Sequence, residues 1–551
     1  MASNDTAPGV HIEEIASGVR TITGVATSIT AFIGRAPRGP VNEPRTIPSF
    51  ADFERRFGGL SNQSTMSFAV RDFFSNGGGE AVIVRVYRRG AVASGSSESG
   101  AARFALLTES RQPEVQTAVD ARVRAAEEAA DRLELTASAP GAWGNSLLLR
   151  VDHALPDRAD RSSFNLSVRD RAMNAVESFR NVSIAADSPR RVDRVLEQES
   201  LLVRVPEGAG LPAERPGETP GETPGATPGE SAASPAEDHT ARRPFELGSD
   251  GVAITDDEIV GSEAERDGLF ALDTVDLFNL LCIPPLAADV DVAPDTWQAA
   301  AEYCRRRRAV LIIDPPQGWS RGEQARTGIE SIGVSNSHAA IYFPRIRQAN
   351  PLRANQIEAF APCGAVAGVI ARTDATRGVW KAPAGLDARI TGISGFSTAL
   401  TDAEIGELNP LGVNCLRTLP EVDGVVWGAR TREGDDRLAS EWKYLPVRRT
   451  ALFIEESLWR GTQWVVFEPN DEPLWAQIRL NLGAFMNGLF RQGAFEGATP
   501  REAYFVKCDR ETTTQNDINL GTVNILVGFA PLKPAEFVVI RIQRVAGQIA
   551  T

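Results

Sequence analysis

"SFAVRDFFSNGGGEAVIVRVYR", residues 67–88, changes period halfway and so points to the fold class. Its first half reads as a helix that turns Phe68 and Phe73 or Phe74 inward and stops on Asn76-Gly77-Gly78, residues that accept the left-handed backbone of a helix end. Its second half, "AVIVRVYR" (81–88), is rich in β-branched residues and reads as a strand. Upstream, "SITAFIGRA" (28–36) reads as a strand running into a Gly turn, and "SFADFERRFGG" (49–59) as a helix halted at Gly58-Gly59. Strand, helices and strand together predict a mixed sheet covered by helices.

The same alternation returns from residue 245. "DTVDLFNLLCIP" (273–284) carries a strand into Pro284, "DTWQAAAEYCRRRR" (295–308) is a helix, and "AVLIID" (309–314) and "HAAIYFPRI" (338–346) are strands. "RRTALFIEESLWRG" (448–461) reads as helical after its first residues and "QWVVFEP" (463–469) as a short strand-like piece. "EPLWAQIRLNLGAFMNGLF" (472–490) sets Leu474, Ile478, Leu482, Phe485 and Leu489 on one helical face. "EAYFVKCD", "TVNILVGFAP" and "AEFVVIRIQ" close the chain as strands. Residues 91–205 differ. After a charged helix, "TAVDARVRAAEEAADRL", come the short alternating runs "RLELTAS", "SLLLRVDH" and "SFNLSVRD", which predict an inserted, mainly β domain. Residues 206–244, with "PGETPGETPGATPGE", hold little that can be buried against the entropy of ordering, and predict a flexible or partly extended linker loop.

The chain has 551 residues, 42% hydrophobic and 24% charged, with a net charge of −14. That is a folded chain of several domains, and its acidity argues against a general nucleic-acid binder. The start, "MASNDTAPGV", lacks the pattern of a secretory signal, and no apolar run approaches the ~20 residues of a membrane span. Cys282, Cys304, Cys363, Cys415 and Cys508 are scattered, as expected of reduced core thiols. His11, His153, His239 and His338 form no metal-ligand pair, and neither a GxSxG elbow nor a GxxxxGK[ST] loop occurs. No metal, cofactor or catalytic residue is therefore expected. One stretch keeps two readings open. "ARTDATRGVWKAPAG" (371–385) clusters Arg372, Asp374, Arg377 and Lys381. It suits either a phosphorylated-ligand loop of an α/β enzyme or a rigid contact between subunits.

Longer motifs carry a resemblance: "PGVHIEEI", "TSITAFIGRAPRGPVNEP", "FERRFGG" and "FFSNGGGEAVIVRV" early, then "AGVIARTDATRGVWKAPAG", "ELNPLGVNCLR", "VVWGARTRE", "WKYLPVRRTALFIEESLWRGTQWVVFEPN", "LWAQIRLNLGAFMNGLFRQGAFEGATPREAYFVKCD" and "PLKPAEFVVIRI". With these the chain resembles the tail sheath proteins of contractile phage tails and related contractile injection systems, over about 1–90 and 245–551. The resemblance implies an α/β (α+β) multi-domain fold: a mixed-sheet core built from N- and C-terminal segments, an inserted mainly-β domain and extended terminal arms. The expected divisions are an N-terminal arm (1–25), a first α/β core segment (26–90), the inserted domain (91–205), the linker (206–244), a second α/β core segment (245–400), a C-terminal inner sheath domain (401–530) and a C-terminal arm (531–551).

The function so implied is structural, not enzymatic. Subunits stack as six-membered rings around an inner tube in a high-energy extended state, then contract and drive the tube through a target envelope. Implied partners are the chain itself, the tube protein, and baseplate and tail-terminator or cap proteins, with neither nucleic acid nor direct membrane insertion. Assembly is expected in the bacterial host cytoplasm, within a released or anchored particle. Members of the family exchange terminal strands between neighbours. Here "PGVHIEEI" offers Val10 and Ile12, and "EFVVIRIQ" offers Phe537, Val538, Val539, Ile540 and Ile542, launched past Pro531 and Pro534. Burying three aliphatic side chains yields roughly 1.5–3 kcal/mol each. About five ladder hydrogen bonds add around 0.5–1.5 kcal/mol each, and ordering about seven residues costs on the order of 1–2 kcal/mol each. A single arm is marginal and acts through repetition along a polymer. Tube contact in the family is largely by charge, and Glu455, Glu456, Arg460 and Arg479 are the surface charges expected to supply it.

Overall fold

The computed structural model describes residues 21–90, 100–108, 132–156, 160–219, 245 and 247–536. The chain divides into two compact units. The larger joins Ser28–Arg372 to Pro383–Lys443; the smaller joins the residues up to Thr27, Thr373–Ala382 and the chain from Tyr444 onward.

An eight-stranded sheet organises the larger unit, in the order Val422–Val426, Val413–Leu419, Ala339–Phe343, Val310–Ile313, Leu280–Cys282, Thr30–Gly34, Ala81–Arg85, Arg45–Ile47. Every pairing from Val413–Leu419 to Ala81–Arg85 is parallel, and the two outer strands are antiparallel. The parallel strands are near-continuous apolar runs because both faces are covered. On one face Ala31, Ile33, Val82 and Val84 pack with Trp297, Ala300 and Tyr303 of the helix Pro294–Arg306. On the other, the alternating pleat turns Phe32 to Phe73 of the helix Thr65–Ser75, with ring centroids 5.6 Å apart. That helix is the first half of the opening stretch. It is capped by the Ser64 hydroxyl, and Gly77, at φ 112°, follows its end.

Beside it lies the helix Cys363–Arg377. A Cβ on Gly364 would sit 1.9 Å from the Ala69 carbonyl oxygen, and one on Gly368 2.5 Å from that of Phe73. The i,i+4 glycines therefore permit backbone contact between the two helices. The segment 371–385, expected as a loop, is helical through Arg377 and stops at Gly378, φ 89°. "ARTDATR" contains no helix breaker, and the first residue able to end the helix cheaply is that glycine.

Two three-stranded antiparallel sheets form an extra β region. One orders Arg103–Leu107, Arg132–Ala137 and Val203–Arg204; the other orders Leu147–Asp152, Ser163–Asp170 and Ala175–Ser183. They enclose their own core of Leu133, Leu135, Leu149, Phe164, Leu166 and Phe245, among others. Two buried arginines tie this region to the large sheet. Arg38 pairs with Asp170 at 2.8 Å, at 8% and 1% side-chain exposure. Arg85 bonds to no carboxylate among the described residues and donates instead to the carbonyls of Ala36, Gly39 and Pro140. Burial lowers its pKa to about 10.

The described stretch of the Pro-rich segment, 206–219, departs from a flexible linker. Pro212, Arg215 and Pro216 are buried against the β region, and Arg215 donates to the carbonyls of Asp160 and Ser163. Composition understates order here because proline and an arginine stem bury apolar surface without aliphatic side chains. The charged helix expected at 117–133 lies outside the described residues up to Asp131.

Candidate assembly site

The smaller unit rests on two helices, Leu445–Gly461 and Glu472–Arg491. Leu474, Trp475, Ile478 and Leu482 make one apolar cluster with Ile22 and Cys508; Met486 and Leu489 make another with Ile454, Phe495 and Ala503. Of the five residues expected on the inner face, Phe485 is only partly buried, and Trp475 and Met486 take the deeper places. "QWVVFEP" is not a strand. Gln463–Val465 is a turn of 3-10 helix, after which Phe467 takes φ 72°. No strand of the described residues pairs with it, and an apolar run without a sheet partner has nothing to hold it extended.

Strands Tyr504–Lys507 and Leu526–Phe529 pair antiparallel as a two-stranded sheet. Val506, Val527, Tyr504 and Phe529 pack onto the helices, while Phe505, Lys507 and Leu526 face outward. Neither outer edge has a strand neighbour among the described residues, which leaves backbone donors and acceptors available for pairing.

Both approaches to the chain ends lie on the helix Leu445–Gly461. On the N-terminal side, Ile22 packs where a Gly461 Cβ would stand, Val25 N–H donates to Ser457 Oγ, and Thr27 O accepts from Arg449. At the other end of the helix Tyr444 Oη donates to Glu536 Oε2 at 3.4 Å. Seventeen helical residues separate the two points, about 25 Å at 1.5 Å per residue. The arm residues themselves, Val10, Ile12, Phe537, Val538, Val539, Ile540 and Ile542, lie outside the described residues.

The four residues of 371–385 divide between the two units, Arg372 in the larger and the other three in the smaller. In the larger unit Arg372 donates to the carbonyls of Asn76 and Arg389, and burial lowers its pKa. Asp374, in the smaller, is buried against Arg449. Arg377 is exposed and Lys381 donates to Ala382 O. A phosphate clamp needs these cations turned to one point, and the helix spends Arg372 on backbone. Among the four charges expected at the surface, Glu455 pairs with Arg448 at 2.6 Å and Arg479 with Glu472 at 2.7 Å. Glu456 is different. It is 7% exposed and pairs with Arg460 at 2.8 Å, because adjacent helical residues point about 100° apart and 456 falls on the inner side.

The sequence reading missed an apolar display in this unit. Trp459 is 50%, Val466 58%, Phe467 102% and Leu520 72% exposed. Of these, Val466 and Phe467 fall in the run W-V-V-F (464–467), which mimics a strand. All five cysteines are free and buried. Among the described residues no group of His, Cys, Asp and Glu is arranged to hold a metal ion, and no helix is long and apolar enough to cross a membrane.

A family model described as the phage tail sheath protein central domain matches residues 266–432, and one described as the phage tail sheath C-terminal domain matches 439–544. A prophage major tail sheath protein of Pseudomonas aeruginosa is 27% identical over 288 residues, 50% of this chain and 69% of that protein. The tail sheath protein of Vibrio phage KVP40 is 24% identical over 42% of this chain and 38% of its own length. The fold recurs in the anti-feeding prophage helical sheath in its contracted state (22% identity, TM-score 0.54, 98% of this chain and 99% of that one). It recurs in a sheath tail protein of Listeria innocua (13% identity, TM-score 0.56, 93% and 96%). Residues 266–432 and 439–544 thus match the central and C-terminal domains of the phage tail sheath family, and the chain's role is that of a structural sheath subunit rather than an enzyme.

Proposed function

We propose that this chain polymerises with copies of itself as stacked six-membered rings around an inner tube, is held there in a metastable extended state, and contracts to drive the tube through a target envelope. Its further partners in this reading are baseplate and tail-terminator or cap proteins. Assembly takes place in the bacterial host cytoplasm, and the finished tail-like particle is released or anchored. One observation carries the reading: both chain ends approach from one helix, about its own length apart, in a unit that also presents a two-stranded sheet whose outer edges have no strand neighbour among the described residues. Arms 1–25 and 531–551, through Val10, Ile12 and Phe537–Ile542, are the strands that complete that sheet in neighbours by edge addition. Glu455 and Arg479 are the residues of this unit assigned to tube contact; Arg460, tied to buried Glu456, serves mainly to neutralise it. The test is a chain ending at Glu536. It is expected to fold, to give the circular dichroism of the full chain and to form no sheaths in negative-stain images. Long sheaths of normal appearance from that truncation would refute strand exchange at this end.

A further inference from the structure

The first copy of the Pro-Gly-Glu-Thr repeat is docked against a sheet edge. Strand Leu147–Asp152 stands at the edge of its three-stranded sheet. Thr219 adds to that edge by two bonds: its N–H donates to Val151 O at 2.9 Å, and its hydroxyl accepts from Val151 N–H at 2.8 Å. Three residues earlier, Pro216 O lies 2.9 Å from His153 Nε2, which donates to it, and Pro216 makes an isolated bridge with Thr108, just past the strand Arg103–Leu107 of the other small sheet. Pro216 is buried, whereas Glu218 is exposed.

The sequence repeats this unit. Residues 216–219 read PGET, 220–223 PGET and 224–227 PGAT. The positions that bond to this edge in the docked copy, proline and threonine, recur in all three. The position that varies is that of exposed Glu218, which becomes Ala226 in the third. Variation confined to the outward-facing position is what three interchangeable ligands of one site would show. A hydroxyl suits that place because it accepts the Val151 N–H; threonine supplies it in these three copies, and the next tetrad, PGES at 228–231, keeps a hydroxyl as serine. Proline suits its place because it needs no donor there and presents its carbonyl with little entropy to lose.

We propose that the edge formed by Val151 and His153 is a recognition site for Pro-Gly-x-Thr segments, and that a second copy of this chain can supply the occupant. The chain carries three such ligands for the one site, and in a homopolymer a neighbour's copies are present at high effective concentration. Only that choice of partner rests on the sheath reading; the site itself does not.

The test uses the full chain and a labelled peptide, PGETPGET. The site is vacated by Thr219→Val with Thr223→Val and Thr227→Val, or, should that variant not fold, by a Gly-Ser sequence of equal length in place of 216–227. Saturable peptide binding to the vacated chain is expected, at least tenfold tighter than to the unsubstituted chain, whose own repeat competes. His153→Ala should weaken it tenfold or more, and the peptide PGEVPGEV should not bind. Absence of saturable binding up to millimolar peptide, or equal binding of the valine peptide, overturns the site. For the second copy, immobilised vacated chain should capture the unsubstituted chain but not another vacated one. Peptide binding without that capture overturns the proposed partner while leaving sheath assembly untouched.

Discussion

Arg449 and Asp374 form a two-pronged ion pair, Nη1 to Oδ1 at 2.8 Å and Nη2 to Oδ2 at 2.6 Å, with 3% and 4% of their side chains exposed. Nη2 also donates to Thr27 O, so the pair joins the end of one helix, the start of another and the approach from the N-terminal arm. Removing one partner strands a buried charge. Asp374→Ala is expected to cost about 3–5 kcal/mol, read as a lower midpoint in urea unfolding. An unchanged midpoint would show that solvent reaches the site.

Packing at Gly364 is tighter than any side chain allows, 1.9 Å from a Cβ to a backbone oxygen. Gly364→Ala should force the helices Thr65–Ser75 and Cys363–Arg377 apart at a cost of about 1–3 kcal/mol. Gly318→Ala, where a Cβ meets nothing within 4 Å, should stay within about 0.5 kcal/mol of the parent. Thermal melts of the two variants side by side make the comparison.

Asp314 ends the strand Val310–Ile313 and is 3% exposed. Its Oδ1 accepts Cys363 N–H, while Oδ2 has no partner among the described residues. Burial raises its pKa to about 6, and Asp72 shifts the same way for the same reason. The folded state thus binds the proton more tightly than the unfolded one. The ionised form weakens the fold above pH 6, and stability from this group returns as pH falls from 7 toward 5, by about 1 kcal/mol. Asp314→Asn keeps the acceptor for Cys363 and should flatten the dependence of the urea midpoint over that window. An unaltered slope would place the titration elsewhere.

Neighbouring acids on the helix Leu445–Gly461 should behave oppositely. Glu455 is 46% exposed, though its partner Arg448 is only 8% exposed. Glu455→Gln removes the charge but keeps an acceptor for Arg448 and should cost no more than about 1 kcal/mol; tube docking that survives it removes Glu455 from the tube contact. Glu456→Lys sets a buried cation against Arg460 and should lose roughly 3 kcal/mol or more, seen as reduced soluble yield and a lower melting temperature.

Phe467, 102% exposed at φ 72°, contributes no burial to its own subunit. Phe467→Gly should raise subunit stability slightly, by about 0.5–1 kcal/mol, by relieving the left-handed backbone. If negative-stain images then show shorter sheaths, the ring lies at an interface; normal sheaths would make it a solvated loop tip.

Local patterns carried much of this architecture. The apolar run Ala81–Arg85, the helix ending on Asn76 and Gly77, and the inward set Leu474, Ile478, Leu482 all follow from residues within one or two turns of each other. Periodicity and glycine conformation act at that range, and they suffice for a mixed sheet covered by helices with a separate β region. The candidate site was less legible. Arg372 and Asp374 looked like neighbours on a loop, but one reaches Asn76 and the other Arg449. Glu455 and Glu456 looked equivalent until a helix sent one outward and the other into the core. Thr219 looked like linker until Val151 supplied a sheet edge. Each of these outcomes depends on a partner tens to hundreds of residues away. Such a contact forms only when the whole chain has closed its loops, and the sign of its contribution is set by the burial that closure creates. Residue order dictated which segments fold as strand or helix; tertiary closure decided which charges are structural, which sheet edges have no strand neighbour among the described residues and which apolar groups stay exposed.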